Sequence, residues 1–195
     1  MAPLLRQSNI NPREEFEQRH HANLHVLPLV MARHLQSARF QEHALRVLFQ
    51  VSLFASGNGR DIGPKGIRAI LAAMEMHENN VYVQEFGFMA VGAVAQGNIL
   101  NTMCLIREGG LERLLQHMKA HEDSYGVQTK AAMMLYAICM VEKVPVRTML
   151  VERGFVAAIK AALLKHEKPH AETTMKVKVK SLLTCIMQGA SAWAY

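Results

Sequence analysis

The chain is short of the residues that would commit it to a disulfide framework, a metal site or an aromatic-rich sheet. It has three cysteines in 195 residues. Cys104, Cys139 and Cys185 stand too far apart for a CxxC pair or any other ligand spacing. Reduced thiols packed in helices, and hence an intracellular, cytoplasmic location, are the expectation. Aromatics make up 6 %, with one Trp, and proline is limited to six. Methionine, at 13, is abundant instead. With Ala and Leu it favours helix, so an all-α fold is predicted.

Long apolar runs are also missing. No stretch reaches the roughly 20 apolar residues that span a bilayer, so no membrane insertion is expected. The opening MAPLLRQSN has no apolar core of signal-peptide length. Glu14, Glu15 and Glu17 follow soon after, against the acid-poor composition of a mitochondrial presequence.

Catalytic spacings are absent too. GNGRDIGPKG has glycines and a lysine, but it lacks the GxxxxGK[ST] order and follows no strand, so it reads as a turn. His117 and His121 share a helix face at a spacing of four without a third zinc ligand or the glutamate of a metalloprotease motif. His166 and His170 repeat that spacing across a loop containing Pro169. No nucleophile elbow, carboxylate pair or Cys–His arrangement stands out. The chain is expected not to be an enzyme, with no catalytic, cofactor or metal residue assigned.

What is present is charge and repetition. The formal net charge is +6, and much of it sits late. From Gly154 onward six lysines face only Glu167 and Glu172. Lys176, Lys178 and Lys180 form a basic rim, read either as a solvated helix face or as a site for an anionic partner.

Val83-Gln84 recurs 44 residues later as Val127-Gln128, and Met76-His77 as Ala120-His121. Gly66, Gly110 and Gly154 stand at the same interval. Such a period marks stacked supersecondary units. Residues 1–21 read as an arm and capping helix, with Asn11, Pro12 and Glu14 in a capping-box arrangement and Phe16 as an anchor. Four units follow within 22–189, at about 22–65, 66–109, 110–153 and 154–189. Residues 190–195 form a tail.

Each unit pairs a shorter amphipathic helix with a longer apolar one. Phe40, Ala44, Val47, Leu48 and Val51 are the expected core stripe of the first long helix. Val83, Gly87, Ala90, Val91 and Val94 serve the second. Val127, Ala131, Met134, Leu135 and Ile138 serve the third, and Met175, Val179, Leu182, Leu183 and Ile186 the last. Ala44, Gly87 and Ala131 occupy one small position, expected to admit a neighbouring helix backbone.

The segments REGG-LERLLQHM-KAHEDSYG-VQTKAAMMLYAIC and GIRAILAAM-EMHENNVY-VQEFGFMAVGAVAQGN resemble armadillo repeats. The likeness covers about residues 22–189. It implies an all-α, right-handed superhelix whose third helices line a concave groove that holds another protein. In nuclear-import receptors of that family a Trp and, four residues later, an Asn line the groove. The matching positions here are Arg46 and Gln50, Met89 and Ala93, Met133 and Ala137, and Ser181 and Cys185, so that array is lacking. The expected groove residues are Arg46, Gln50, Met89, Ala93, Met133, Tyr136, Ala137 and Met140. Methionine surfaces adapt to partner helices. Trp193 and Tyr195 are further anchors for a partner.

The functional expectation is a non-catalytic scaffold or structural subunit of a larger assembly, binding a partner helix or peptide. By analogy within the family, that assembly would be ciliary or cytoskeletal. The alternatives are a nucleic-acid-binding subunit using the basic last repeat, or a small-GTPase or kinase adaptor.

Overall fold

The computed structural model describes residues 26–54, 62–140, 146–166 and 174–191; side chains are described for only part of the last span. Among the described residues the protein is all-α, with no strand. A first helix, α1, covers 26–33. It is followed by α2 (Ala38–Phe54), α3 (Gly63–Met76), α4 (Val81–Ala95), α5 (Ile99–Arg107) and α6 (Gly110–Ala120). The remainder is α7 (Tyr125–Cys139), α8 (Val146–Glu152), α9 (Phe155–His166) and α10 (Thr174–Ser191). The expected capping helix within 1–21 and the tail at 192–195 lie outside the described residues.

The long helices form one layer and the shorter ones another. Helix α4 packs between α2 and α7, and α10 packs on the far side of α7. In the second layer α6 lies between α3 and α9. The short helices α5 and α8 connect the units. The apolar core runs between the layers, from Met31 and Leu45 through Leu71, Val91, Leu114 and Leu135 to Ile159 and Leu182.

Glycine turns and polar caps punctuate the helices. Gly109 and Gly154 adopt φ of +67° and +84° at the turns into α6 and α9, a left-handed conformation that disfavours a Cβ. The long helices start at polar caps: Ser37, Asn80 and Ser124 accept from the amides of Phe40, Val83 and Val127. Capping satisfies a first-turn donor that has no partner within the helix.

A buried glutamine then ties each long helix to the shorter one before it. The Gln84 amide donates to the carbonyls of Met74 and His77, at 2.8 and 3.1 Å. Gln128 donates to Met118 and His121 at 2.7 and 2.9 Å. Gln41 does the same to Met31 and His34, both at 2.9 Å. Carbonyls only accept, so the NH₂ must face them and the amide orientation is fixed. The cost is visible at Gln41 and Gln84, whose Oε1 atoms are buried without a partner among the described residues.

Histidines join one unit to the next. His77 Nε2 lies 2.7 Å from the carbonyl oxygen of Leu35, and His166 Nε2 lies 2.8 Å from that of Glu122. His121 repeats the contact with Glu78. Each acceptor again assigns the proton to Nε2. At the surface, Arg68–Glu108 pairs within a unit at 3.0 Å, and Arg113–Glu75 and Lys165–Asp123 pair across units at 3.1 and 2.7 Å. Exposed pairs of this kind contribute little, about 0–1 kcal/mol each.

Three sequence expectations need correction. Val47 is 45 % exposed; the buried stripe of α2 is instead Gln41, Ala44, Leu45, Leu48 and Ser52. Helix α3 begins at Gly63, three residues before the expected Gly66, because Pro64 fits its opening turn. The small position at Gly87 admits a side chain, not a backbone: a Cβ there would lie 2.5 Å from the Met74 sulfur. Close backbone approach occurs at Gly92, where a Cβ would lie 3.1 Å from the Met134 Cα.

Candidate functional site

The long-helix layer carries an open pocket of about 230 Å³ between α2, α4 and α7. Its walls come from the C-terminal halves of these helices. Phe49 and Leu53 close it from α2; Met89 and Ala93 come from α4 and Gln96 from its C-cap; Met133, Tyr136 and Ala137 come from α7 and Met140 from its C-cap. Gly92 and Phe88 form its floor with Met134. The absent side chain at Gly92 matters here, because it lets α7 approach α4 closely at this level.

These helices become apolar on more faces than the core uses. On α7, Ala131, Met134, Leu135 and Ile138 point into the core. Met133, Tyr136 and Ala137 are half-buried, and Met140 is 41 % exposed. On α2, Leu53 is 47 % exposed beside them. The pocket lining contains no charged side chain. Such a surface can bind apolar side chains of a partner.

Six residues expected from the sequence to line a groove therefore meet in one pocket: Met89, Ala93, Met133, Tyr136, Ala137 and Met140. Arg46 and Gln50 do not line it; both are exposed on α2. The Arg46 guanidinium sits 5.9 Å from the centre of the Phe86 ring, a cation–π distance that holds it against α4. Of the basic rim, Lys180 is exposed and Lys176 half-buried on α10. The side chain of Lys178 lies outside the described residues, as do Trp193 and Tyr195 and the side chain of Cys185.

Phe49, Leu53, Phe88 and Gln96 were not expected in the site. Phe49 and Leu53 fall four apart on the exposed side of the α2 stripe, once the stripe is placed on Ala44, Leu45 and Leu48. His117 and His121 do not face a common ligand, since His121 is engaged with the Glu78 carbonyl. Among the described residues no group of three or more His, Cys, Asp or Glu is placed to hold a metal ion. None of the described helices is long and apolar enough to cross a membrane.

No protein-family model, curated protein or solved structure matches the chain.

Proposed function

We propose that the protein is a non-catalytic interaction scaffold, an armadillo-type right-handed α-solenoid that receives a helix or extended segment of a partner protein across α2, α4 and α7. The observation that carries this reading is the Met89–Met133–Tyr136–Met140 surface, which is apolar, concave and left open by the fold. The regular stacking of α2, α4, α7 and α10 supports the solenoid assignment. The recurrence of the glutamine and histidine contacts at intervals of 44 and 45 residues supports it further.

A partner would place two or three apolar side chains in the pocket. Methionines re-pack around different shapes at small rotamer cost, so they suit a surface that grips a helix face. Filling the pocket tests the reading. Ala93→Trp places a large side chain at the 5 % exposed position in its wall. Affinity purification from the native cell is expected to recover a stoichiometric partner with the wild-type chain and to lose it with Ala93→Trp. A variant with unchanged helicity and undiminished partner recovery would contradict the assignment. Lys176→Glu combined with Lys180→Glu separates the rival anionic-partner reading, because the scaffold reading expects recovery to persist.

A further inference from the structure

The opposite layer holds a second recess, of about 310 Å³, where the last turns of α3 and α6 lie side by side. It is lined by Glu75, Glu78, Asn79, Gln116, His117 and Ala120. Its character is the reverse of the apolar pocket, being rich in acceptors.

His117 is the unusual member. It is only 7 % exposed, yet its imidazole makes no hydrogen bond to any described residue, while His77, His121 and His166 are all engaged with carbonyls. A polar side chain this buried without a protein partner is uncommon. Burial pushes the His117 pKa below its usual value; the Glu75 and Glu78 carboxylates pull it up, and His121 and Arg113 push it down. The neutral ring keeps one nitrogen as an acceptor.

The walls add to this. Glu78 forms no ion pair among the described residues, and Glu75 is paired with Arg113 at 3.1 Å. The backbone that carries Glu78 is held by the His121 contact. Helices α3 and α6 both end at the recess, capped at His77 and His121, and helix C-termini carry partial negative charge. Carboxylates on the α3 side therefore face an imidazole acceptor on the α6 side.

We propose that this recess binds the guanidinium group of an arginine side chain presented by a partner protein. A guanidinium carries donors along several edges of one plane, so it can address Glu78 and the His117 nitrogen together; an ammonium lacks that fixed fork. The apolar stem of the arginine would rest on Ala120. The site is separate from the α2–α4–α7 pocket and does not depend on the scaffold reading.

The probe is N-acetyl-arginine amide, with the neutral N-acetyl-citrulline amide as its isostere, titrated into the full chain. The readout is the His117 imidazole resonance in proton–nitrogen NMR. The arginine probe is expected to shift it saturably and citrulline to leave it in place. Glu78→Gln, at an exposed and unpaired position, is expected to weaken binding roughly tenfold. Glu42→Gln on α2, far from the recess, is expected to leave binding unchanged. A shift that never saturates, an equal response to citrulline, or unaltered binding in Glu78→Gln would overturn the assignment.

Discussion

The His121 imidazole, on the turn after α6, reaches back to the carbonyl oxygen of Glu78, on the turn after α3. His77 and Leu35 stand in the same relation one unit earlier, and His166 and Glu122 one unit later. A side chain thus satisfies a turn carbonyl of the neighbouring unit at each step. The helices are stacked by apolar contacts, and these polar contacts recur beside them at each step.

Within a unit the glutamines should be the costlier polar groups to remove. Gln84→Leu strips the carbonyls of Met74 and His77 of their buried donor, and a lost buried partner costs about 1–3 kcal/mol. Its own unpartnered Oε1 disappears at the same time, which offsets part of the loss. We expect a net destabilisation of about 1–2 kcal/mol in urea unfolding, with an unchanged helical signal before the transition. Gln84→Leu as stable as wild type would show that the contact sets no part of the fold's stability.

The glycines divide by mechanism. At Gly110 a Cβ would lie 2.8 Å from the backbone oxygen of Leu105, so Gly110→Ala must push α5 away from α6. Overpacking of this sort costs about 1–3 kcal/mol. Gly154 has open space around it, but its φ is +84°. Gly154→Asn is expected to be milder than Gly154→Val, since Asn tolerates left-handed backbone and β-branched residues do not. Thermal melts of the three variants check the order.

His117 gives the fold an acid limit. Its pKa in the folded state lies below the usual histidine value, chiefly through burial. The unfolded chain therefore binds the proton more readily, and stability rises with pH across that range. The contribution is complete above the unfolded pKa of about 6.5 and is lost as pH falls toward the lower folded value. His117→Gln is expected to flatten the pH dependence of the urea midpoint between about pH 6.5 and the folded pKa. An unaltered slope would assign the acid limit to other groups.

Surface ion pairs should matter little. Arg68→Ala removes the pair with Glu108, in which the Arg68 side chain is 56 % exposed. A change within about 0.5 kcal/mol is expected, measured by urea unfolding in low and high salt. A loss of several kcal/mol would show that this surface pair contributes to holding its unit together.

Much of the fold is written in the sequence because repetition reports the same answer several times. Val83 and Val127, or Gly110 and Gly154, recur at one interval, and all-α packing follows from what lies between them. What escaped was local. Val47 fits the helical period but turns outward, since Gln41 and Ser52 take buried places on α2 that an apolar pattern does not assign to polar residues. The role of Gly87 depends on which rotamer Met74 adopts in a different helix. The glutamines recur visibly at 84 and 128, but their partners lie seven and ten residues upstream, across a turn. In the apolar pocket, Met89, Ala93, Met133 and Ala137 were legible because the armadillo resemblance implies groove positions there. Phe49 and Leu53 were not, because the expected α2 stripe has Val47 and Val51 where the buried face has Gln41, Leu45 and Ser52.

The most direct test of the scaffold reading is site-specific photocrosslinking in the native cell. A benzophenone amino acid at position 133 stands in the pocket wall, and one at Leu164, 73 % exposed on α9, is the control. The account predicts that position 133 yields a discrete adduct with another protein, abolished by Ala93→Trp, and that position 164 does not yield the same adduct. No adduct at position 133, or one that Ala93→Trp leaves intact, would contradict it.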